Sequence, residues 1–571
     1  MFKNVLTGVA ALVLSGAFVP QVRADTSAGS YLAGRHAAVN SDYREAARYY
    51  TTALARDPRN NELLESTILA QVSLGEIEKA QTLARMLEAQ NQSSQVARMV
   101  ITAELAAAGD YAALIAREPD TSGIGLWVDG LVKAWSHIGL GDRDAAIAAF
   151  DSLSAEAGMQ AFVLYHKALA LASIGDYAGA EAIFGSAGAG SAGQTRRGVI
   201  AYAEILAQLD RHDEALTVLR NSFGANTDPE LDLLIAALEA KEPMAFTHVP
   251  DAQAGIAEVF FTFAAVLKSE NAGDYYVLLF SRIARYLRPD NVDAVLLTAD
   301  LLESLGQYDL AIDEYKTVPS DDPAFHVAEL GRADALRRSG KENQAVEVLE
   351  QLGRSHSDLA VIHSTLGDTL RRQEKFADAI AAYDRAIERL PENAGNRWVL
   401  LYARGIAHER LGNDTQMEAD FRAALELNPE QPQVLNYLGY SMVEQKRNLE
   451  ESLDMIERAV AGSPDSGYIV DSLGWVLFRM GRYDEAVGHM ERAVELLAVD
   501  PVVNDHLGDV YWAVGRAREA EFQWSRALSF INEEDNDSEA DPVRIRRKLE
   551  VGLDVVLEEE GAPPLKVGND I

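Results

Sequence analysis

Five glycines near the carboxyl end, Gly367, Gly405, Gly439, Gly474 and Gly508, fall 38, 34, 35 and 34 residues apart. A small residue, an aromatic and another small residue follow at fixed offsets, as in Ala379, Tyr383, Ala386 and Pro391. A period of about 34 residues leaves room for two short antiparallel helices and two turns. Glycine on the first helix lets the second cross closely, and Ala486 and Ala493 keep the facing helix thin. Phe376, Tyr383, Phe421 and Tyr483 are expected to fill the space between neighbouring units, and Pro391, Pro429 and Pro464 to stop the second helix. No such unit can bury its apolar face alone, so the core must run along a stack.

This pattern resembles that of the tetratricopeptide repeat (TPR). The resemblance implies an all-α helical-repeat solenoid, wound as a right-handed superhelix. Weaker copies reach back to Gly34, Tyr43, Ala46, Tyr50, Ala53 and Pro58, and include the segments 141–150, 175–184, 211–216 and 306–315. Unit starts near 27, 61, 95, 127, 161, 196, 258, 292, 326, 360, 398, 432, 467 and 501 give about fourteen units. The long step from 196 to 258 holds Pro243 and Pro250. The expected order is a signal peptide (1–24), an N-terminal array (25–228), a degenerate half-repeat with an insertion or hinge (229–257), a C-terminal array (258–530), and an acidic linker with a capping helix (531–571). For that last helix a polybasic contact through Arg544, Arg546, Arg547 and Lys548 is the alternative role.

Compartment and partner class come from the ends and the charge. Lys3 precedes an apolar run from Val5 to Val19, and Val22-Arg23-Ala24 offers a cleavage site before Asp25. The run is shorter than the ~20 residues a membrane span needs. With no cysteine there is no disulfide and no lipid-anchor cysteine. A periplasmic protein with no integral membrane segment after signal cleavage is therefore expected. The net charge of −36 disfavours nucleic acid and anionic lipid as partners.

Signals for chemistry are weak. The glycines of 188–193 mimic a dinucleotide loop but follow a helical segment, where a buried strand would be required. The eleven histidines form no metal-binding spacing, and His506 between Asp505 and Asp509 fits a groove or interface better than a general base. No catalytic residue, cofactor or metal is expected.

Residues 435–527 resemble repeats of secreted proteobacterial TPR proteins, among them adaptors of periplasmic carboxyl-terminal processing proteases. That resemblance implies a non-catalytic adaptor whose protein or peptide partner is a periplasmic protease or another envelope enzyme. A structural assembly scaffold for an envelope or secretion complex is the alternative. TPR proteins line their groove with first-helix positions two, five, nine and twelve. Here these carry Asn436 and Tyr440, then Tyr468, Asp471, Trp475 and Phe478, then Asp505, Asp509 and Trp512. The short polar residues would bond a peptide backbone and the aromatics would anchor it. The competing reading is that Trp475 and Trp512 pack between repeats.

Overall fold

The computed structural model describes residues 27–563 and 565, apart from 118–122, 156–157, 187–189, 225–227 and 532–539. The expected signal peptide, most of the acidic linker and part of the 188–193 glycine run lie outside the described residues; Gly190–Gly193 forms one short helix.

Helices pair in sequence, and fourteen pairs begin at 27, 61, 95, 126, 160, 196, 252, 292, 325, 360, 397, 432, 467 and 501. Between the two helices of a pair the chain must reverse within two to four residues, which requires a left-handed backbone. Glycine supplies it at Gly75, Gly109, Gly141, Gly175, Gly306, Gly340, Gly412, Gly481 and Gly515, and Ser41, Asp210, Asn271, Glu374 and Lys446 do so in the other five. Second helices open on side-chain caps in many repeats; Asp42, Asp110, Asp142 and Asp176 each accept the N–H three residues on.

The repeat glycines are notches for the partner helix. A Cβ at Gly367 would sit 2.7 Å from Tyr383, at Gly405 2.5 Å from Phe421, at Gly439 2.8 Å from Ile456 and at Gly474 2.6 Å from Met490. Tyr383 and Phe421 therefore fill space within their own repeats, and Phe421 also meets Tyr437 of the next one at 5.8 Å.

The described residues form two compact units, Met1–Val348 and Leu349–Ile571. The division lies about a hundred residues beyond the 229–257 stretch. That stretch begins with an unpaired helix, Pro229–Glu239, and its end is pinned. Glu204 accepts the backbone N–H of Thr247 and His248, each at 3.1 Å, and Arg288 donates to their carbonyls. The following pair then lies against the first helices of earlier repeats. Helix Ala252–Ser269 packs on Leu126–Gly139 and Gln160–Ser173, and helix Asp274–Leu287 packs on Asn61–Leu74 and Gln95–Ala107.

In the C-terminal unit the repeats from 360 to 530 continue into a shorter pair, Pro542–Val551 and Leu553–Glu559. Among the described residues no helix is long and apolar enough to cross a membrane.

Candidate partner-binding site

In the N-terminal unit the first-helix face of the repeats beginning at 61, 95, 126 and 160 is covered by the chain itself. Gly255 lies so close to the buried Trp135 that a Cβ there would overlap the indole. Phe162 meets Phe263 edge-on at 5.0 Å, Gln95 donates to the Tyr276 hydroxyl at 2.8 Å, and Arg282 donates to the Ser73 carbonyl at 3.0 Å.

A buried polar knot fastens this arrangement. Glu258 is 1% exposed and accepts Arg197 at 2.7 and 3.3 Å and the Tyr165 hydroxyl at 3.0 Å. Burial alone would raise the Glu258 carboxyl, but Arg197 and then His248 outweigh it and bring it down to about 2. Burial lowers His166 to about 4, and burial with the charge of Arg197 lowers His248 to about 3, so both rings are neutral. His166 Nε2 lies 3.1 Å from the Thr262 hydroxyl. This knot has the burial and charge of a functional site, yet every contact joins one helix of the unit to another.

The strip expected to bind a partner is brought together in the C-terminal unit, but much of it sits in the seams between repeats. Trp475 and Phe478 are buried and stack at 4.9 Å, and Trp475 stacks on His506 of the next repeat at 3.9 Å while donating to Glu444 at 2.7 Å. His506 Nδ1 donates to the buried Asp471 at 2.9 Å. Burial disfavours a charged ring at His506, but Asp471, Asp505 and Asp509 together raise its pKa. Asn436 and Tyr440 are half-buried. Tyr468 stands apart, 59% exposed, with its hydroxyl 3.2 Å from Asp500.

Asp505 and Asp509 face the terminal helix pair. The Lys548 ammonium, 1% exposed by residue, lies 2.8 and 2.9 Å from the two Asp505 oxygens and 2.6 Å from Asp509. Trp524 donates to Asp509 at 2.9 Å, Trp512 donates to Asp554 at 2.8 Å, and Gly552 is pressed against the Trp512 ring. Lys548 thus serves as counter-ion to the last repeat. Arg544 and Arg547 pair with Glu560 and Glu559 of the same hairpin. A cap role accounts for these contacts.

The missed residues are those that remain open. Val361 and Val399 are 49% and 43% exposed, Tyr402 and Ile406 are half-buried on the same face, and Arg372 and Arg410 are exposed. Val361 and Val399 occupy the second, Tyr402 the fifth and Ile406 the ninth first-helix position, as in the strip, while Arg372 and Arg410 come one residue after the twelfth, in repeats with less aromatic content. Position within the repeat was therefore the available signal.

Tetratricopeptide-repeat models match residues 31–94, 131–194, 330–394 and 364–432, and a second such model matches 197–221 and 472–492. The fold is accordingly that of an all-α tetratricopeptide-repeat solenoid, a class that mediates protein–protein interaction and is generally non-catalytic. The chain is 28% identical over 187 residues to a TPR repeat-containing protein of Pseudomonas aeruginosa, covering 32% of this chain and 31% of that one. It is 32% identical over 116 residues to the cytochrome c-type biogenesis protein CcmH of Escherichia coli, covering 20% and 33%. The chain thus spans about a third of the length of these curated relatives. A similar solved structure is the Cut9–Hcn1 hetero-tetramer of the APC/C, at 14% identity and a TM-score of 0.36, covering 92% of this chain and 96% of that one.

Proposed function

We propose that this protein is a non-catalytic adaptor of a Gram-negative periplasm that binds a protein partner on the first-helix face of its C-terminal unit. One observation carries the choice of face. In the N-terminal unit the corresponding surface of the repeats from 61 to 173 is covered by helices Ala252–Ser269 and Asp274–Leu287, whereas Val361 and Val399 remain exposed in the C-terminal unit, as does Val327 at the same place in helix Phe325–Arg338. The periplasmic assignment is supported by the amino-terminal sequence and by the bacterial sources of the relatives. The resemblance of residues 435–527 to protease adaptors supports a periplasmic protease or another envelope enzyme as partner. With no lipid-anchor cysteine in the sequence, the adaptor proposed is soluble or held by another tether.

Photocrosslinking in the native host tests the face. A photoreactive residue at Val399 should capture a discrete protein, and one at Phe522, exposed on a second helix, should not. The reverse result would assign the partner to the second-helix surface. An assembly scaffold is the second reading, favoured by similarity to a protein named for cytochrome c-type biogenesis. A captured envelope enzyme whose turnover changes on binding supports the adaptor; captured structural subunits alone support the scaffold.

A further inference from the structure

The open face of the C-terminal unit has two unlike edges. Val361 and Val399 lie in the first turns of helices Ala360–Arg372 and Arg397–Arg410, and Arg372 and Arg410 are the last residues of the same helices. In each helix the valine and the arginine are eleven residues apart. At ~1.5 Å rise per residue the apolar row runs about 16 Å from the basic row. Tyr402 and Ile406, half-buried, lie on the floor between them. Neighbouring packed helices lie ~8–10 Å apart, so the rows extend along the array, one step per repeat.

Both arginines are exposed and neither has an ion-pair partner among the described residues. Beside Arg410 the floor is apolar, and beside Arg372 it carries Ser364 and Asp368, the latter accepting the Tyr383 hydroxyl. In a chain carrying −36, two guanidinium groups without an ion-pair partner at this face invite an external carboxylate. Their place at helix C-termini also complements the helix dipole. That effect accounts for a cation there, but not for an apolar row opposite it.

The N-terminal unit shows what kind of occupant a first-helix face of this chain accepts. It holds a helix rather than an extended strand, and Arg197 of the array clasps Glu258 of the inserted helix while Phe260 and Phe263 lie on that helix. In that ion pair the arginine comes from the array and the acid from the guest, while aromatics come from both sides and Arg282 on the second inserted helix donates to the array's Ser73 carbonyl. A helix with its side chains is ~10–12 Å across, which fits between rows about 16 Å apart.

We propose that the first-helix face of the C-terminal unit docks an amphipathic helix of a partner protein, apolar on one side and acidic on the other. Val361, Val399 and Ile406 receive the apolar side, and Arg372 and Arg410 take its carboxylates. The inference rests on the partner face assigned above and adds the chemistry of what binds there.

Three synthetic peptides of five helical turns, about 18 residues, test it against the full chain by fluorescence anisotropy at low salt. One has a leucine face and a glutamate face, the second replaces glutamate by lysine, and the third is the glutamate peptide with a central proline that breaks the helix. The leucine–glutamate helix should bind at least about tenfold tighter than either other peptide, a difference of ~1.4 kcal/mol. Arg372→Glu with Arg410→Glu should remove that advantage and shift preference toward the lysine peptide. Ile406→Glu should weaken both helical peptides. Should the charge-reversed chain melt differently, Arg372→Gln with Arg410→Gln serves in its place. Equal binding of the lysine peptide, equal binding of the proline peptide (an extended occupant), indifference to the arginine variants, or binding of none overturns the proposal. Crosslinking at Val399 that persists while the peptides fail sinks the acidic helix alone. Loss of both sinks the face itself.

Discussion

His506 Nδ1 donates to the carboxylate of Asp471, one repeat earlier, at 2.9 Å, and the same imidazole lies 3.9 Å from the parallel ring of Trp475. Asp505 repeats the relationship with Lys548 on the first helix of the terminal pair. An acid at the fifth first-helix position therefore meets a basic group from the first helix of the following pair, twice in succession. In these last repeats, neighbouring first helices approach closely enough that side chains on the inner face meet one another.

Truncating Trp475 should accordingly damage the fold. Trp475→Ala removes a buried indole, its hydrogen bond to Glu444 and its stack with His506, and should cost about 3–5 kcal/mol. Tyr468→Ala, on an exposed ring of the same helix, should stay within about 0.5 kcal/mol. Urea unfolding of the two variants beside the parent checks both. A Trp475→Ala protein of parental stability would place the indole outside the core.

Removing the cation from the terminal hairpin should be nearly as severe. Lys548→Met leaves the buried Asp505 without its counter-ion and Asp509 with only Arg544, 3.6 Å away, a change that typically costs ~3–5 kcal/mol. Adding Asp505→Asn should recover part of the loss, since burial already pushes the Asp505 carboxyl upward against the pull of Lys548. Hydrogen exchange should report opening of helices Pro501–Ala513 and Ala517–Phe530 first. If exchange there is unchanged, the hairpin is not holding the last repeat.

Much of this architecture was legible because the repeat is a local code. The glycine notches, the left-handed turns and the prolines act within one or two helices, so spacing alone placed the repeats. The covering of the N-terminal face was not legible. Gly255 against Trp135 and Glu258 against Arg197 are long-range partners, and in sequence Ala252–Ser269 reads like any apolar first helix. For the strip, first-helix position places Asp471, Trp475, Asp505 and Asp509 on one side of neighbouring repeats. Whether such a group is open depends on how closely adjacent repeats approach and on a hairpin forty residues downstream, neither of which a single repeat encodes.

The two buried networks should respond to pH with opposite sign. In the N-terminal knot the folded pKa values of His166 and His248, about 4 and about 3, lie below the ordinary 6.5. The unfolded chain then binds more protons, so stability is present above pH 6.5 and is lost as pH falls through 4 and 3. Glu258, held at about 2 against an ordinary 4.5, acts in the same direction at lower pH. In the last repeats the folded pKa of His506 is raised, so the folded state binds more protons. Its contribution is fully present below pH 6.5 and is lost as pH rises through the folded value. Asp505, also raised, has the same sign, beginning above its ordinary 3.8. Hydrogen exchange at pH 5.5 and 7.5, corrected for intrinsic rates, should therefore show helices Gln160–Ser173 and Ala252–Ser269 less protected at the acid value, and Gly467–Arg479 and Pro501–Ala513 more protected there. His166→Gln should flatten the first response and His506→Gln the second. A common direction in both regions would contradict the assigned charge state of one of the two networks, and the histidine variant that fails to flatten its response would identify which.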